Sequence, residues 1–432
     1  MANQLPVNTK NGGSGVNGCC TPAADKAPQK MSVPPRRVIP IIFLPGIMGS
    51  NLRMSAERQA EIRKSNNIAW RPDDLRESVA LLKASPADRQ RQMDPAATEV
   101  DIYLPDAATG DASVSARRRH TLNGINVGLN VGVDTPLLTD DAPSPGYRKT
   151  KEMRARERGW SEIYFDSYRT ILETCEQHLH QISAYGFWRN ICDIDPKTWG
   201  AEPSSNLKPI SLEECKKTMK GCWFPVHAMG YNWLESNEDS GVKVAKRIRQ
   251  LMEKYREEKY QCEKVIILTH SMGGLVARAA IHPKMGGLNS EVLGIVHGVM
   301  PAIGAPATYK RMRSGFEEGM LGFSISAKVL GNFGDEVTAV LANSCGGLEL
   351  LPTKEYGNHW LDIRQKEKIL LSLPRNGDPY NEIYLARGKW YGLLKSEWIN
   401  PANLENSSLE QSFSLVKRVA KFHDSIKLTY HN

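Results

Sequence analysis

The segment THSMGG, residues 269–274, places a serine among small residues directly after the apolar run VIIL. The run predicts a buried strand, and the following GLVARAA predicts a helix of small residues. A sharp strand-to-helix turn lifts a serine hydroxyl above a sheet, and small neighbours let the two backbones approach closely. Gly273 fits that need, whereas Thr269 stands where glycine is usual. We therefore predict Ser271 as a nucleophile, flanked by His270 and Gly273 in a nucleophile elbow, against the alternative of an ordinary loop serine.

A second segment, LPGIMGS at residues 44–50, follows another apolar run. A glycine-rich turn at the carboxyl end of a strand can present unpaired N–H groups to the oxyanion of a tetrahedral intermediate. The predicted donors are the N–H of Met272, at the positive end of the elbow helix, and that of Ile47 or Met48. A tight turn that needs proline and glycine for backbone reasons alone is the alternative. The presence of the elbow favours the oxyanion hole.

A serine nucleophile needs a base and an acid, and neither has a convincing setting in this sequence. In folds with such an elbow the chain order is serine, acid, histidine, so both partners should follow the serine. The histidines there are His282, His297, His359, His423 and His431, and the aspartates considered are Asp335, Asp362, Asp378 and Asp424. We take His423 as the candidate base and Asp335 as the candidate acid, although a solvated surface carboxylate is the better interpretation of each aspartate. We hypothesise that the chain ends before the triad is complete, as a truncated form, a shortened gene product or half of a split enzyme.

The order of predicted elements indicates the fold class. Apolar runs predict strands at 38–44, 264–269 and 293–296, and helical spacing predicts helices from Ser236 or Asn237 onward and at 275–281. Strand, helix, strand, helix, strand in this order favours a parallel sheet with right-handed crossovers. We therefore predict an α/β protein with a mostly parallel central sheet, helices on both faces, and cap or lid insertions.

The chain divides by composition into a short tail and one large domain. Residues 1–36 are rich in Gly, Asn, Pro and Ser, which predicts a disordered or docking tail, and 37–432 form the predicted domain. Within it, 55–160 is charged and turn-rich and is interpreted as an insertion. For 306–335 two interpretations stay open: a lid whose apolar face meets lipid, or a packed connection with glycine-broken short helices.

Composition limits the function classes. The net charge of +8 is compatible with anionic surfaces, but no nucleic-acid-binding signature accompanies it, so we expect no nucleic-acid partner. The eight cysteines show no metal-site spacing, and we expect neither a metal nor a cofactor. The longest apolar run, 38–48, is too short to span a bilayer, so membrane contact should be peripheral. The N-terminus lacks a Sec-type pattern; we expect a cytoplasmic protein in the producing cell, with export open only by a route without a signal peptide.

Five motifs together resemble a known family. They are LPGIMGSNL, AWRPDD, GYNWLESNED, VIILTHSMGGLVARAA and NSCGGLELLPTKEYGNHWL. They resemble the lecithin:cholesterol acyltransferase and PGAP1-like lipase group, and most of all bacterial phospholipase effectors of type VI secretion systems. The resemblance implies an α/β-hydrolase fold, Ser271 as nucleophile, and Met48 and Met272 as oxyanion donors. Asn232 stands where the family often has aspartate, and the family's Gly-Asp-Gly-Thr-Val-like acid segment is not found.

These observations lead to one expected function and two alternatives. We expect hydrolysis of lipid acyl esters, with phospholipids favoured, through an acyl-enzyme on the serine. A lipid O-acyltransferase of the same fold is the first alternative, because an alcohol can replace water as acceptor. A catalytically incomplete lipid- or partner-binding module is the second. If the effector resemblance holds, an immunity protein and a secretion carrier are the expected protein partners.

Overall fold

A computed structural model describes residues 36–102, 151–180, 192–200, 202, 206–219, 221–316, 329 and 331–427, together with three short strands nearer the N-terminus. The strands are β1 Val7–Asn8, β2 Ser14–Gly18, β3 Gln29–Val33, β4 Arg37–Val38, β5 Ile41–Leu44, β6 Leu52–Met54, β7 Ile68–Trp70, β8 Thr98–Val100, β9 Cys222–Trp223, β10 Val226–Ala228, β11 Val265–His270, β12 Val292–Gly298, β13 Leu361–Gln365 and β14 Lys368–Leu373. The helices are α1 Ala56–Glu61, α2 Leu75–Leu82, α3 Pro86–Gln92, α4 Lys151–Glu157, α5 Phe165–His180, α6 Leu212–Met219, α7 Asn237–Glu257, α8 Gly273–Ile281, α9 Pro306–Ser314, α10 Gly334–Leu341, α11 Cys345–Leu348, α12 Ser396–Ile399 and α13 Leu409–Ile426.

The central sheet contains four parallel strands in the order β10-β5-β11-β12. In the middle of the sheet, Ile42 of β5 is in register with His227 on one side and Ile267 on the other. All residues of β5 are buried, as expected for a strand covered on both faces. The predicted α/β class with a mostly parallel central sheet is confirmed.

The two helices around β11 pack closely on each other. The longer helix, α7, begins after Ser236, whose hydroxyl accepts the N–H of Glu238, and buries an apolar stripe as predicted. A Cβ atom at Gly241 would lie 2.5 Å from the Cβ of Ala279 in α8, so glycine is what lets the helices approach. The predicted strand, helix, strand, helix, strand order is confirmed, with β11, α8 and β12 close to their expected bounds.

A small antiparallel sheet of order β7-β6-β8 lies outside the main sheet, within and just before the predicted insertion. Trp70 of this sheet meets Trp233 edge to face, with ring centroids 5.6 Å apart, so the insertion packs on the main core. Nearer the N-terminus, β1, β2 and β3 pair antiparallel; the tail assignment of 1–36 stays a prediction. The central part of the predicted lid, 317–328, lies outside the described residues.

None of the described helices is long and apolar enough to cross a bilayer.

Strand β12 forms one edge of the central sheet and remains open to solvent. Leu293 and Val296 are 60% and 58% exposed, and Val299, just after the strand, is 79% exposed. Among the described strands, none pairs with its outer side. An apolar strand with free N–H and C=O groups is unusual in a parallel sheet and is a template for further pairing.

A charge placed on this edge should reduce self-association. We expect Val296→Lys to lower concentration-dependent association in sedimentation velocity, because a lysine on an edge strand opposes pairing with another chain. Val242→Lys is the matched control: Val242 is 44% exposed, but on helix α7. Equal association of both variants and the wild type would show that the β12 edge is not where chains meet.

Candidate active site

Ser271 lies in a strained turn between β11 and α8. Its φ of 48° is in the left-handed region, which is rare for a residue with a side chain and typical of a nucleophile elbow. The turn is held to the next strand because the N–H of Ser271 donates to the carbonyl of Gly298 at 2.8 Å. We call residues 269–274 the elbow.

Two glycines of the elbow, Gly273 and Gly274, lie where a side chain would meet close neighbours. A Cβ atom at Gly273 would lie 2.5 Å from the carbonyl oxygens of both Leu44 and Pro45, which are backbone atoms that cannot move aside. At Gly274 the close atoms belong instead to the flexible side chain of Met300. The first glycine is therefore required by backbone contact, whereas the second faces a side chain.

The loop after β5, residues 45–49, reaches the elbow directly; we call it the oxyanion loop. A Cβ atom at Gly46 would lie 3.1 Å from the Cβ of Ser271 and 2.9 Å from Nδ1 of His270. Met48 has a φ of 60°, and its carbonyl accepts the indole N–H of Trp70 at 2.7 Å. The structure thus brings together the two segments that the sequence singled out.

Three amides near Ser271 are free of internal bonds. Within the described parts of the chain, the N–H groups of Ile47, Met48 and Met272 donate to no protein acceptor. Met272 also stands at the N-terminus of α8, where the helix dipole is positive. This arrangement is what an oxyanion hole requires, since its donors must be unpaired until charge develops on the substrate. The assignment of these donors stays a prediction.

Tyr168 of α5 is a residue of the site that sequence reasoning missed. Its hydroxyl oxygen accepts the N–H of Gly46 at 3.0 Å and lies 3.0 Å from Nδ1 of His270. Burial raises the pKa of Tyr168 to about 12, so the phenol stays neutral. No sequence signal marks this tyrosine, because it lies about 100 residues before the elbow in an ordinary amphipathic helix.

Two histidines, His270 of the elbow and His297 next to it, favour the neutral form. Partial burial lowers the pKa of His270, and burial together with the nearby Arg278 lowers the pKa of His297. Nδ1 of His297, on β12, lies 2.8 Å from the hydroxyl of Thr269. The threonine that replaces the usual glycine therefore has a specific partner on the next strand.

The candidate base and acid are not brought to Ser271. His423 is only 7% exposed in α13, with Nδ1 2.6 Å from the hydroxyl of Tyr380 and Nε2 2.8 Å from the carbonyl of Glu349. Both ring nitrogens are thus occupied in the core. Asp335 lies in the first turn of α10, where its carboxylate accepts the N–H of Glu336. Neither contacts the elbow in this structure, and both assignments stay predictions without geometric support.

The other candidates also have partners elsewhere. Nδ1 of His282 accepts the N–H of Lys284, and Nδ1 of His359 bonds the hydroxyl of Ser372. Asp362 accepts from Ser372 and Arg364, Asp378 caps the turn at Tyr380 and Asn381, and Asp424 pairs with Lys427. His431 lies outside the described residues. The described part of the chain therefore contains the nucleophile and oxyanion segments without a hydrogen-bonded base at Ser271.

The parallel sheet and the serine elbow define the class: this is an α/β-hydrolase fold. Residues 236–347, from the start of α7 through the elbow to α11, match the family described as the PGAP1-like alpha/beta domain. The fold is similar to that of a chain in the crystal structure of the Tle4–Tli4 complex, with a TM-score of 0.67 and 29% sequence identity over 90% of this chain and 72% of that chain. A sequence search of curated proteins finds no match. The resemblance predicted from the motifs is thereby confirmed.

Replacing the glycine that faces backbone should damage the site more than replacing its neighbour. We expect Gly273→Ala to lower the free energy of unfolding by about 1–3 kcal/mol and to displace the elbow, because its Cβ would meet two carbonyl oxygens. Gly274→Ala is the control, since the atoms that its Cβ would meet belong to the Met300 side chain and not to backbone. Urea unfolding of both variants measures the difference, and equal losses would contradict this account of the contact.

A buried carboxylate at the start of α7, that of Glu349, should make stability depend on pH. Glu349 accepts the hydroxyl of Ser236 and the N–H of Asn237, and burial raises its pKa from 4.5 to about 7. The folded state therefore binds more protons than the unfolded chain between these values, so the free energy of unfolding should fall as pH rises through this window, by roughly 3 kcal/mol.

The matching variant is Glu349→Gln, which cannot ionise. Its free energy of unfolding, measured in urea at about pH 5 and about pH 8, should decline less than that of the wild type. Parallel pH profiles for the two proteins would show that Glu349 does not titrate in this window.

Proposed function

We propose that this chain is a serine carboxylic-ester hydrolase that acts on lipid acyl esters, with Ser271 as nucleophile. The observation that carries the proposal is the strained Ser271 at the carboxyl end of β11, next to the unpaired amides of Met48 and Met272. A serine held in this way, with N–H groups able to receive an oxyanion, supports acyl transfer.

The reaction follows from this arrangement. The hydroxyl oxygen of Ser271 forms a bond to the carbonyl carbon of the ester while a base takes the hydroxyl proton. The carbonyl oxygen becomes an oxyanion and accepts hydrogen bonds from Met48 and Met272. The bond to the alcohol breaks as the alcohol takes up the proton, which leaves an acyl-enzyme. Water then attacks the acyl carbon, releases the fatty acid and restores the serine.

An apolar acyl chain is the substrate part that the surroundings of Ser271 favour. The bond from Ser271 to Gly298 places the exposed Val299 beside the elbow, and the exposed Ile303 follows a few residues later. Exposed apolar side chains next to a nucleophile suit a lipid or a membrane surface.

The motifs and the structural similarity narrow the substrate and the partner further. The motifs that resemble phospholipase effectors favour a phospholipid among lipid esters, and the match to the PGAP1-like domain is consistent with this choice. The similar chain was crystallised in a complex, that of Tle4 with Tli4, which supports a protein partner for this chain as well. An immunity protein is our candidate for that partner.

The reaction needs a base and an acid at Ser271, and no described histidine is hydrogen-bonded to its hydroxyl. The open edge of β12 is the place where a further parallel strand would bring them, because its carboxyl end lies beside the elbow at Gly298. His423 and Asp335 are the alternatives among the described residues and would require a rearrangement of α13 and α10. The second candidate function, a binding module with an incomplete triad, is favoured by the two core contacts of the His423 ring.

Covalent labelling with a fluorophosphonate ester distinguishes these functions. We expect the 432-residue chain to react, Ser271→Ala not to react, and His423→Ala to react at the wild-type rate because His423 does not face the elbow. Fatty-acid release from phosphatidylglycerol vesicles, with and without an added alcohol acceptor, then separates hydrolysis from acyl transfer. A folded wild type that does not react would support the incomplete module, and loss of labelling in His423→Ala would restore that residue as the base.

A further inference from the structure

The hydroxyl of Tyr168 occupies the point where the oxyanion loop meets the elbow. Its oxygen accepts the N–H of Gly46 in the loop and bonds Nδ1 of His270 in the elbow, each at 3.0 Å. One atom therefore connects the two segments that must act together on a substrate. We propose that Tyr168 is a positioning residue that holds the oxyanion loop in register with the nucleophile elbow.

We call these two hydrogen bonds of the Tyr168 hydroxyl the bridge. The hydroxyl oxygen accepts from Gly46, and its own proton can be donated to Nδ1 of His270 when the histidine carries its proton on Nε2. Burial raises the pKa of Tyr168 and lowers that of His270, so both groups are neutral near pH 7. The bridge is therefore present under the conditions in which an esterase would work.

The bridge acts on the oxyanion donors through short stretches of backbone. Met48 is two residues from Gly46, and Met272 is two residues from His270. A shift of about 1 Å in a catalytic group can lower a rate by about 100-fold, so the relative position of these two amides matters. The loop is also packed against the hydroxyl, since a Cβ atom at Gly49 would lie only 2.8 Å from it.

Tyr168 is itself held by rigid surroundings. It lies one turn into α5, whose first N–H groups, those of Phe165 and Asp166, donate to the carboxylate of Asp73 at 3.0 and 3.3 Å. Its ring packs against Phe43 of β5, with centroids 5.0 Å apart. The hydroxyl is thus fixed relative to the central sheet, and it can transmit that position to the loop.

The test replaces only the hydroxyl and rests on the proposed function for its rate measurement. We expect Tyr168→Phe, which keeps the ring on Phe43, to lower the second-order rate constant of Ser271 labelling by about 10- to 100-fold. In ester hydrolysis, kcat should fall while KM stays near the wild-type value. Tyr309→Phe is the control, because that hydroxyl donates to the carbonyl of Tyr391 and, among the described residues, forms no hydrogen bond to the loop or elbow.

A second readout separates this proposal from the proposed function. With ¹⁵N-labelled histidine, we expect the Nδ1 resonance of His270 to shift in Tyr168→Phe and to stay unchanged in Tyr309→Phe, because only the first variant removes its partner. A wild-type labelling rate in Tyr168→Phe overturns the proposal. If the wild type itself does not label, the proposed function fails, and the His270 resonance decides: an unchanged resonance overturns the bridge, and a shifted one supports it.

Discussion

The structure around the site depends on one close approach, that of the elbow backbone to the end of β5. Gly273 faces the carbonyls of Leu44 and Pro45, and Gly46 faces the Cβ of Ser271. Any side chain at these glycines would separate the two segments. Further hydrogen bonds hold the loop from its other side: the hydroxyl of Tyr231 donates to the carbonyl of Pro45 at 2.7 Å, and Trp70 donates to the carbonyl of Met48. The loop is therefore held by contacts from several elements in addition to its own turn, in which the N–H of Gly49 donates to the carbonyl of Gly46 at 3.0 Å.

The electrostatic character of the site follows from this packing. The described side chains that bond the loop and elbow are neutral aromatic or imidazole groups: Tyr168, Trp70, Tyr231, His270 and His297. A charged pair lies outside the loop and elbow, where Arg247 donates to the buried Glu162. The carboxylate of Glu162 also accepts the N–H of Gly230. Among the described groups near Ser271, the backbone amides and the positive end of the α8 helix dipole are therefore the predicted means of stabilising an oxyanion.

The local part of the site could be predicted because it is encoded by contiguous residues. A β-branched run, a serine between small residues and an alanine-rich helix specify β11, the elbow and α8 through strand and helix propensities and steric limits. The same holds for the loop after β5, where proline and glycine mark the turn. Similarly, the stripe of α7 and the N-cap at Ser236 follow from helical periodicity and capping. These features need no knowledge of distant contacts.

The sequence by itself thus determined the parallel order of the main strands, and it predicted Ser271 as the nucleophile and the loop after β5 as the source of oxyanion donors. Only the tertiary structure decided that Tyr168 joins loop and elbow, that Thr269 bonds His297, and that β12 has an open edge. It also placed His423 in a core contact with Tyr380 and Glu349 and away from the elbow. The physical reason is the range of the interactions: propensity and backbone sterics act within a few residues, whereas these hydrogen bonds join segments separated by tens to more than 100 residues, and no local pattern specifies which of many tyrosines or histidines will meet.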